Sequence, residues 1–159
     1  MHRKEYDSVD PSAASARMSA KVSEEGTKMK FILMMNGTKA NWDEYADWSK
    51  EDLEKNVAFM RNFTKQLKDE GVFVATAGLG WPNQAKIVRA GNDGMPITDG
   101  VFPESKEFLA GYWIVDVENE EQAYRIAARA SAGPGKGGKP GGMPIEVRQV
   151  LSGHADLGL

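Results

Sequence analysis

Apolar residues run almost unbroken from Met29 to Met35, too short a stretch for a buried helix and apolar at both parities, so the pattern predicts a central strand. After a polar loop from Asn36 to Asp47 that carries Trp42, Tyr45 and Trp48, the period changes to that of a helix. Ser49 caps it, with Asp52 at the third position. Leu53, Val57, Met60, Thr64 and Leu67 then form a stripe at helical spacing, flanked by Phe59 and Phe63, while Glu54, Lys55, Lys65 and Asp69 point away. Gly71 ends the helix. Val72 to Leu79 reads as a second strand, Gly80 to Asn83 as a turn, Ala85 to Ala90 as a third short strand and Gly91 to Gly94 as a further turn.

The longest and most aromatic strand is predicted over Phe108 to Val117. Asn119 caps a second helix whose inward stripe, Ala123, Ile126, Ala127 and Ala130, is small enough to let it lie close to a sheet. Gly133 to Gly142 is a glycine, proline and lysine loop, and Ile145 to Val150 alternates as a closing strand. The order β-α-β-β-β-α-β is an α+β fold: a ferredoxin-like split βαβ with an extra strand, its antiparallel sheet covered by two helices on one face. The uncovered face would expose apolar side chains from Met29 to Met35 and from Phe108 to Val117, so a homodimer packed sheet to sheet is expected.

At 159 residues the chain fits one domain, read as residues 29–152 between a polar extension over 1–28 and a short tail over 153–159. Residues 1–28 hold too few large apolar groups to offset their own ordering entropy and are expected to be dispensable for the fold. The formal charge of −3, with basic residues scattered, argues against a nucleic-acid partner. Cysteine is absent, which removes disulfides and thiolate chemistry and suits a cytoplasmic location. No run approaches the ~18 apolar residues of a membrane span. His2 and His154 are the only histidines, so neither an internal histidine base nor a histidine-rich metal centre is expected, and no motif asks for a cofactor. Gly133 to Lys139 satisfies G-x-x-x-x-G-K, but Pro140 follows where a phosphate-binding loop needs Ser or Thr and the start of a helix.

Charge gathers at the lip of the aromatic strand, where Thr98-Asp99-Gly100-Val101-Phe102-Pro103-Glu104-Ser105-Lys106-Glu107 leads into Phe108. Asp99 sits in an Asp-Gly turn signal and either bonds its own downstream amides or faces a ligand. Glu104, Lys106 and Glu107 are either a solvated charge run or polar groups at the mouth of a cleft. Tyr112 and Trp113 point to opposite faces of their strand, one under the helices and one outward. Arg148 alternates away from Ile145 and Val147, to pair with an acid or contact an anion. The ligand-contact candidates are therefore Asp99, Glu104, Lys106, Glu107, Tyr112 and Arg148. Asp99, Lys106 and Glu104 are the first choices for proton chemistry if there is any.

The same segment resembles the signature of the DGPF family, a branch of the YCII-related proteins, with Val101 in place of the name-giving proline. The resemblance takes in Met29-Lys30-Phe31, Gly78-Leu79, Gly111-Tyr112 and Ile145-Glu146-Val147-Arg148. It implies a dimeric α+β barrel of bacterial type with a cleft between sheets and helices. For the His-Asp pair proposed as catalytic in YCII proteins, nothing at Asn36 to Trp48 supplies the histidine. The resemblance and the residues together imply a homodimer binding a small, organic or anionic molecule, with a cofactor-free proton transfer or isomerisation as the chemistry it could support. The alternative is a regulatory module, since DGPF-type genes are associated with extracytoplasmic-function sigma factors.

Overall fold

A computed structural model describes residues 26–100 and 107–158. Strand β1 (Met29–Thr38) is followed by helices α1 (Lys39–Ala46) and α2 (Lys50–Asp69), then by β2 (Phe73–Gly78) and a hairpin of β3 (Lys86–Ala90) and β4 (Pro96–Gly100). Strand β5 (Glu107–Val117), helix α3 (Glu120–Ser131) and strand β6 (Ile145–Gln149) complete the order. The main sheet runs β2-β5-β1-β6 and is antiparallel throughout. Its two central strands are the two most apolar segments of the chain, as expected for strands with neighbours on both edges. This is the ferredoxin-like arrangement, an α+β fold.

Alternation sorts each strand. Phe31 and Leu33 of β1, with Trp113, Val115 and Val117 of β5, are buried on the helix side, where they meet Phe63 and Leu67 of α2 and Ala123, Ile126, Ala127 and Ala130 of α3. In register, Leu33 lies between Trp113 and Val147, and Phe31 opposite Val115. The Phe63 ring stands edge-on to Trp113 at 5.3 Å and stacks on Phe59 at 5.9 Å. The Trp113 indole N–H donates to Thr64 Oγ1 at 3.3 Å, so the polar end of this side chain is satisfied inside the core. Both predicted caps form: Ser49 Oγ accepts from Asp52 N at 3.1 Å and Asn119 Oδ1 from Gln122 N at 2.9 Å. Arg129 of α3 reaches Glu70 with a two-pronged contact, 2.7 and 3.0 Å, and Gln66 at 3.0 Å, joining the two helices at their exposed edge.

Three expectations are corrected. The segment read as a polar loop contains α1, which buries no residue and so shows no apolar stripe; it is held locally, by reciprocal capping between Thr38 and Asn41 and by the Lys39–Asp43 pair at 2.7 Å. The single extra strand is a separate two-stranded hairpin, and the Asp99-Gly100 turn signal lies inside β4, with Asp99 opposite Ile87. The turn itself is at Gly91, whose N–H donates to Met95 O at 2.8 Å, with Gly94 at φ +77°. Val57 is 42 % exposed, because at 100° per residue it lies roughly a quarter turn round from the Phe63 and Leu67 line that meets the sheet.

Replacing Phe63 by Ala should cost about 3–5 kcal/mol in chemical denaturation, the range for a large aromatic lost from a packed core. Val57→Ala should stay within ~0.5 kcal/mol. Equal losses in both would mean that α2 presents the face inferred from its sequence.

Candidate functional site

One end of the sheet is paved with glycine. Gly111 of β5 pairs with Gly78 of β2 and with Met35 of β1, and Gly37 follows on the same edge of β1 beyond a bulge. A side chain at Gly111 would place its Cβ 2.8 Å from Ala77 O, so glycine is required for β2 and β5 to approach here. With no side chains at Gly37, Gly78 and Gly111, a cavity of about 1080 Å³ opens between this end, helices α1 and α2, and the loop between α3 and β6. That is large for a small-molecule site, whose usual range is ~300–1000 Å³.

All four tryptophans of the chain border this cavity: Trp42, Trp48 and Trp81 with Tyr45 at the lip, and Trp113 from the core. The lip rings pack on one another, with Trp42 to Trp81 and Tyr45 to Trp48 both at 4.9 Å between centroids, and Tyr45 to Trp81 at 6.1 Å. Trp42 Nε1 and Trp48 Nε1 are buried, and neither has a hydrogen-bond partner among the described residues. Such donors are rare in folded proteins and call for an explanation. Met35, Met60 and Ala110 add apolar wall.

The glycine-rich loop after α3 forms another wall and is closely tied. Gly135 N donates to Lys139 O at 2.6 Å, Gly138 N to Gly135 O at 3.0 Å, Gly141 N to Gly133 O at 2.7 Å and Gly142 N to Ser131 O at 3.0 Å. Helix α2 holds it from the side: Asn56 Nδ2 donates to Pro134 O at 2.9 Å, and Gly137 N to Asp52 Oδ2 at 3.1 Å. The Gly137 amide, helped by the Ser49 hydroxyl and by Lys55, holds the Asp52 carboxyl below its ordinary value. Gly137, Gly138 and Gly142 take positive φ, which the loop's tight turns demand. The next regular element is β6, not a helix.

Charge on the wall is one-sided. Arg61, Lys65, Lys68, Lys136 and Lys139 border the cavity, against Glu44 as the carboxylate among the described residues. Lys65 is engaged by Asp69 at 2.5 Å, and the Lys68 ammonium lies 4.9 Å from the Phe73 ring centroid. Among the described residues no histidine stands on the wall. Among the described residues no group of three or more His, Cys, Asp or Glu side chains could hold a metal ion.

The residues singled out from sequence are dispersed. Asp99 pairs with Arg89 at 2.7 Å across the β3–β4 hairpin and is not on the cavity wall. Glu104 and Lys106 lie outside the described residues. Glu107 is exposed at the start of β5, opposite Thr38. Tyr112 borders the cavity, with its carbonyl accepting from Thr76 Oγ1 at 2.8 Å, while in the alternation it belongs to the face away from Trp113. Arg148 lies opposite Ile32 on that same outer face, 3.9 Å from Glu146 Oε1. Phe108 and Leu109, just after the charged signature, do meet Trp81 and Pro82 around a smaller adjoining cavity of about 340 Å³. Sequence reasoning passes over the aromatic lip and the lysines of the glycine loop. Three aromatics spaced by three in an otherwise polar stretch, Trp42, Tyr45 and Trp48, are the signal that could have found the lip.

A four-stranded antiparallel sheet with ferredoxin-like connections, helices on one face and a ligand-sized cavity between the two layers defines the class of protein. Within it, residues 29–135 match the YCII-related domain family, and the chain belongs to that family. Strand β6 lies beyond the matched stretch and completes the sheet against β1. Comparison with curated proteins gives no match to this chain.

Because the Asp52 pKa is lowered on folding, the stability that its bond to Gly137 adds is complete above the ordinary Asp range and is lost as pH falls through the lowered value. The Gly137 amide resonance should therefore titrate with a midpoint below ~3.9, the ordinary Asp value. Asp52→Asn should abolish that titration, whereas a midpoint above the ordinary Asp value would mean the bond does not hold the loop.

Proposed function

We propose that this YCII-related protein is a small-molecule-binding homodimer of the DGPF type whose ligand occupies the cavity between the sheet and α2. The observation that carries the reading is the convergence of every tryptophan of the chain on one cavity wall. Aromatic and apolar walls with a few oriented polar groups are the usual make-up of a ligand site. Among the described residues the wall carries no histidine and Glu44 as its carboxylate, and its aromatic and cationic groups are of the kind that hold and orient a molecule. Support for the dimer comes from the outer sheet face. There Ile32, Met34, Tyr112 and Ile114 are only partly exposed and form an apolar strip beside Ala75 and Ala77 in register, with Lys30, Asp116, Glu146 and Arg148 around it. Charges of both signs on one face can pair across a two-fold axis.

Thermal-shift screening of small organic molecules, read in parallel by tryptophan emission, should yield ligands that both stabilise the protein and change its fluorescence. Trp48→Leu should lose them while retaining a cooperative transition. Ligands that survive Trp48→Leu and are lost in Lys106→Ala would put the site at the charged signature instead. Light scattering at micromolar concentration should give the mass of a dimer, and a stable monomer would refute that part of the reading.

A further inference from the structure

Resting on the cavity as the ligand site, we propose that its ligand is a flat aromatic carboxylate, the carboxylate received by Lys136 and Lys139 of the glycine loop and the ring system laid against the tryptophan lip. The charge on the wall disfavours the opposite sign: with Lys65 engaged by Asp69, Arg61, Lys68, Lys136 and Lys139 still outnumber Glu44 among the described residues and would repel an ammonium ligand. The lip rings also pack on one another at 4.9 Å, which leaves no gap between them for an alkylammonium group to enter as in an aromatic cage. Lys136 and Lys139 are exposed and have no ion-pair partner among the described residues. The buried indole donors Trp42 Nε1 and Trp48 Nε1 add demand for an acceptor-bearing ligand.

The loop also separates a carboxylate from a phosphate. A phosphate loop offers its backbone amides to the ligand. Here the amides of Gly135, Gly138, Gly141 and Gly142 are bound to carbonyls of the same segment, and that of Gly137 to Asp52. Apart from the amides of Lys136 and Lys139 themselves, what the loop has left to offer is two ammonium groups on a backbone held in place from both sides. Two point charges can neutralise a carboxylate, but without the amide cradle they lack the donor set that a phosphate loop adds.

Calorimetric titration with four probes of one shape tests this: 2-naphthoate, its neutral amide 2-naphthamide, protonated 2-naphthylmethylamine and 2-naphthyl phosphate. Naphthoate should bind at least ~10-fold more tightly than naphthamide, an advantage that raised salt erodes, while the amine gives no heat and the phosphate binds no better than naphthoate. The double variant Lys136→Gln, Lys139→Gln should bring naphthoate down to the level of naphthamide without altering naphthamide binding or the melting temperature. Equal affinities for naphthoate and naphthamide, an advantage that survives the double variant, or a preference for the phosphate would overturn the carboxylate assignment and leave the cavity as a binding site. Heat from none of the four would overturn the binding reading itself.

Discussion

The fold depends on the antiparallel pairing of β1 with β5, because that register sets Leu33 beside Trp113 and Phe31 beside Val115 on the face that the helices must cover. A slip of one residue would turn Ile32 and Met34 inward if β1 moved, or turn Asp116 inward and send Trp113 to solvent if β5 moved. Helix α2 reads this register through Phe63, whose ring meets Trp113 edge-on, and through Thr64, which accepts the indole N–H. The indole hydrogen bond leaves Trp113 little freedom to move without breaking either core packing or a buried polar contact. Helix α3 then closes on small side chains and is joined to α2 by Arg129 with Glu70 and Gln66.

Trp113 is also where stability and site meet. One part of its surface is core, another part is cavity wall, so the position of the cavity follows from the same register that builds the core. Toward the glycine end of the sheet the two layers lose the side chains that would fill the gap between them. Packed interiors tolerate few voids, so an opening of this size persists only because rigid elements hold its sides apart. Here those sides are the sheet, α2, the aromatic lip of which α1 carries Trp42 and Tyr45, and a loop pinned by Asn56 and Asp52. The lip indoles are held by one another, while Lys136 and Lys139 stand exposed on a loop whose backbone is tied down.

Much of this is legible in the chain itself. The strands at Met29 and Phe108, the caps Ser49 and Asn119, the small-residue stripe of α3 and the absence of a phosphate-loop context all follow from local pattern, since burial period and capping chemistry are written in neighbouring residues. The resemblance carried by Met29-Lys30-Phe31 and Gly111-Tyr112 leads to the YCII-related family that residues 29–135 match. Helix α1 escapes a reading by period because its support is capping and a local ion pair rather than a buried face. Asp99 reads as a turn residue because Asp-Gly signals a turn by composition, whereas strand pairing with Ile87 and the charge of Arg89 draw it into a ribbon.

The site is decided by the tertiary structure. Trp42, Trp81, Trp113 and Lys136 are far apart in sequence, and no periodicity relates them; they share a wall only once β5 lies between β1 and β2 and the glycine loop folds back on α2. Sequence by itself determined which residues could build layers, because hydrophobic period is a local property. Which residues face a common void depends on the register of distant strands and on where side chains are missing, and those are properties of the assembled fold.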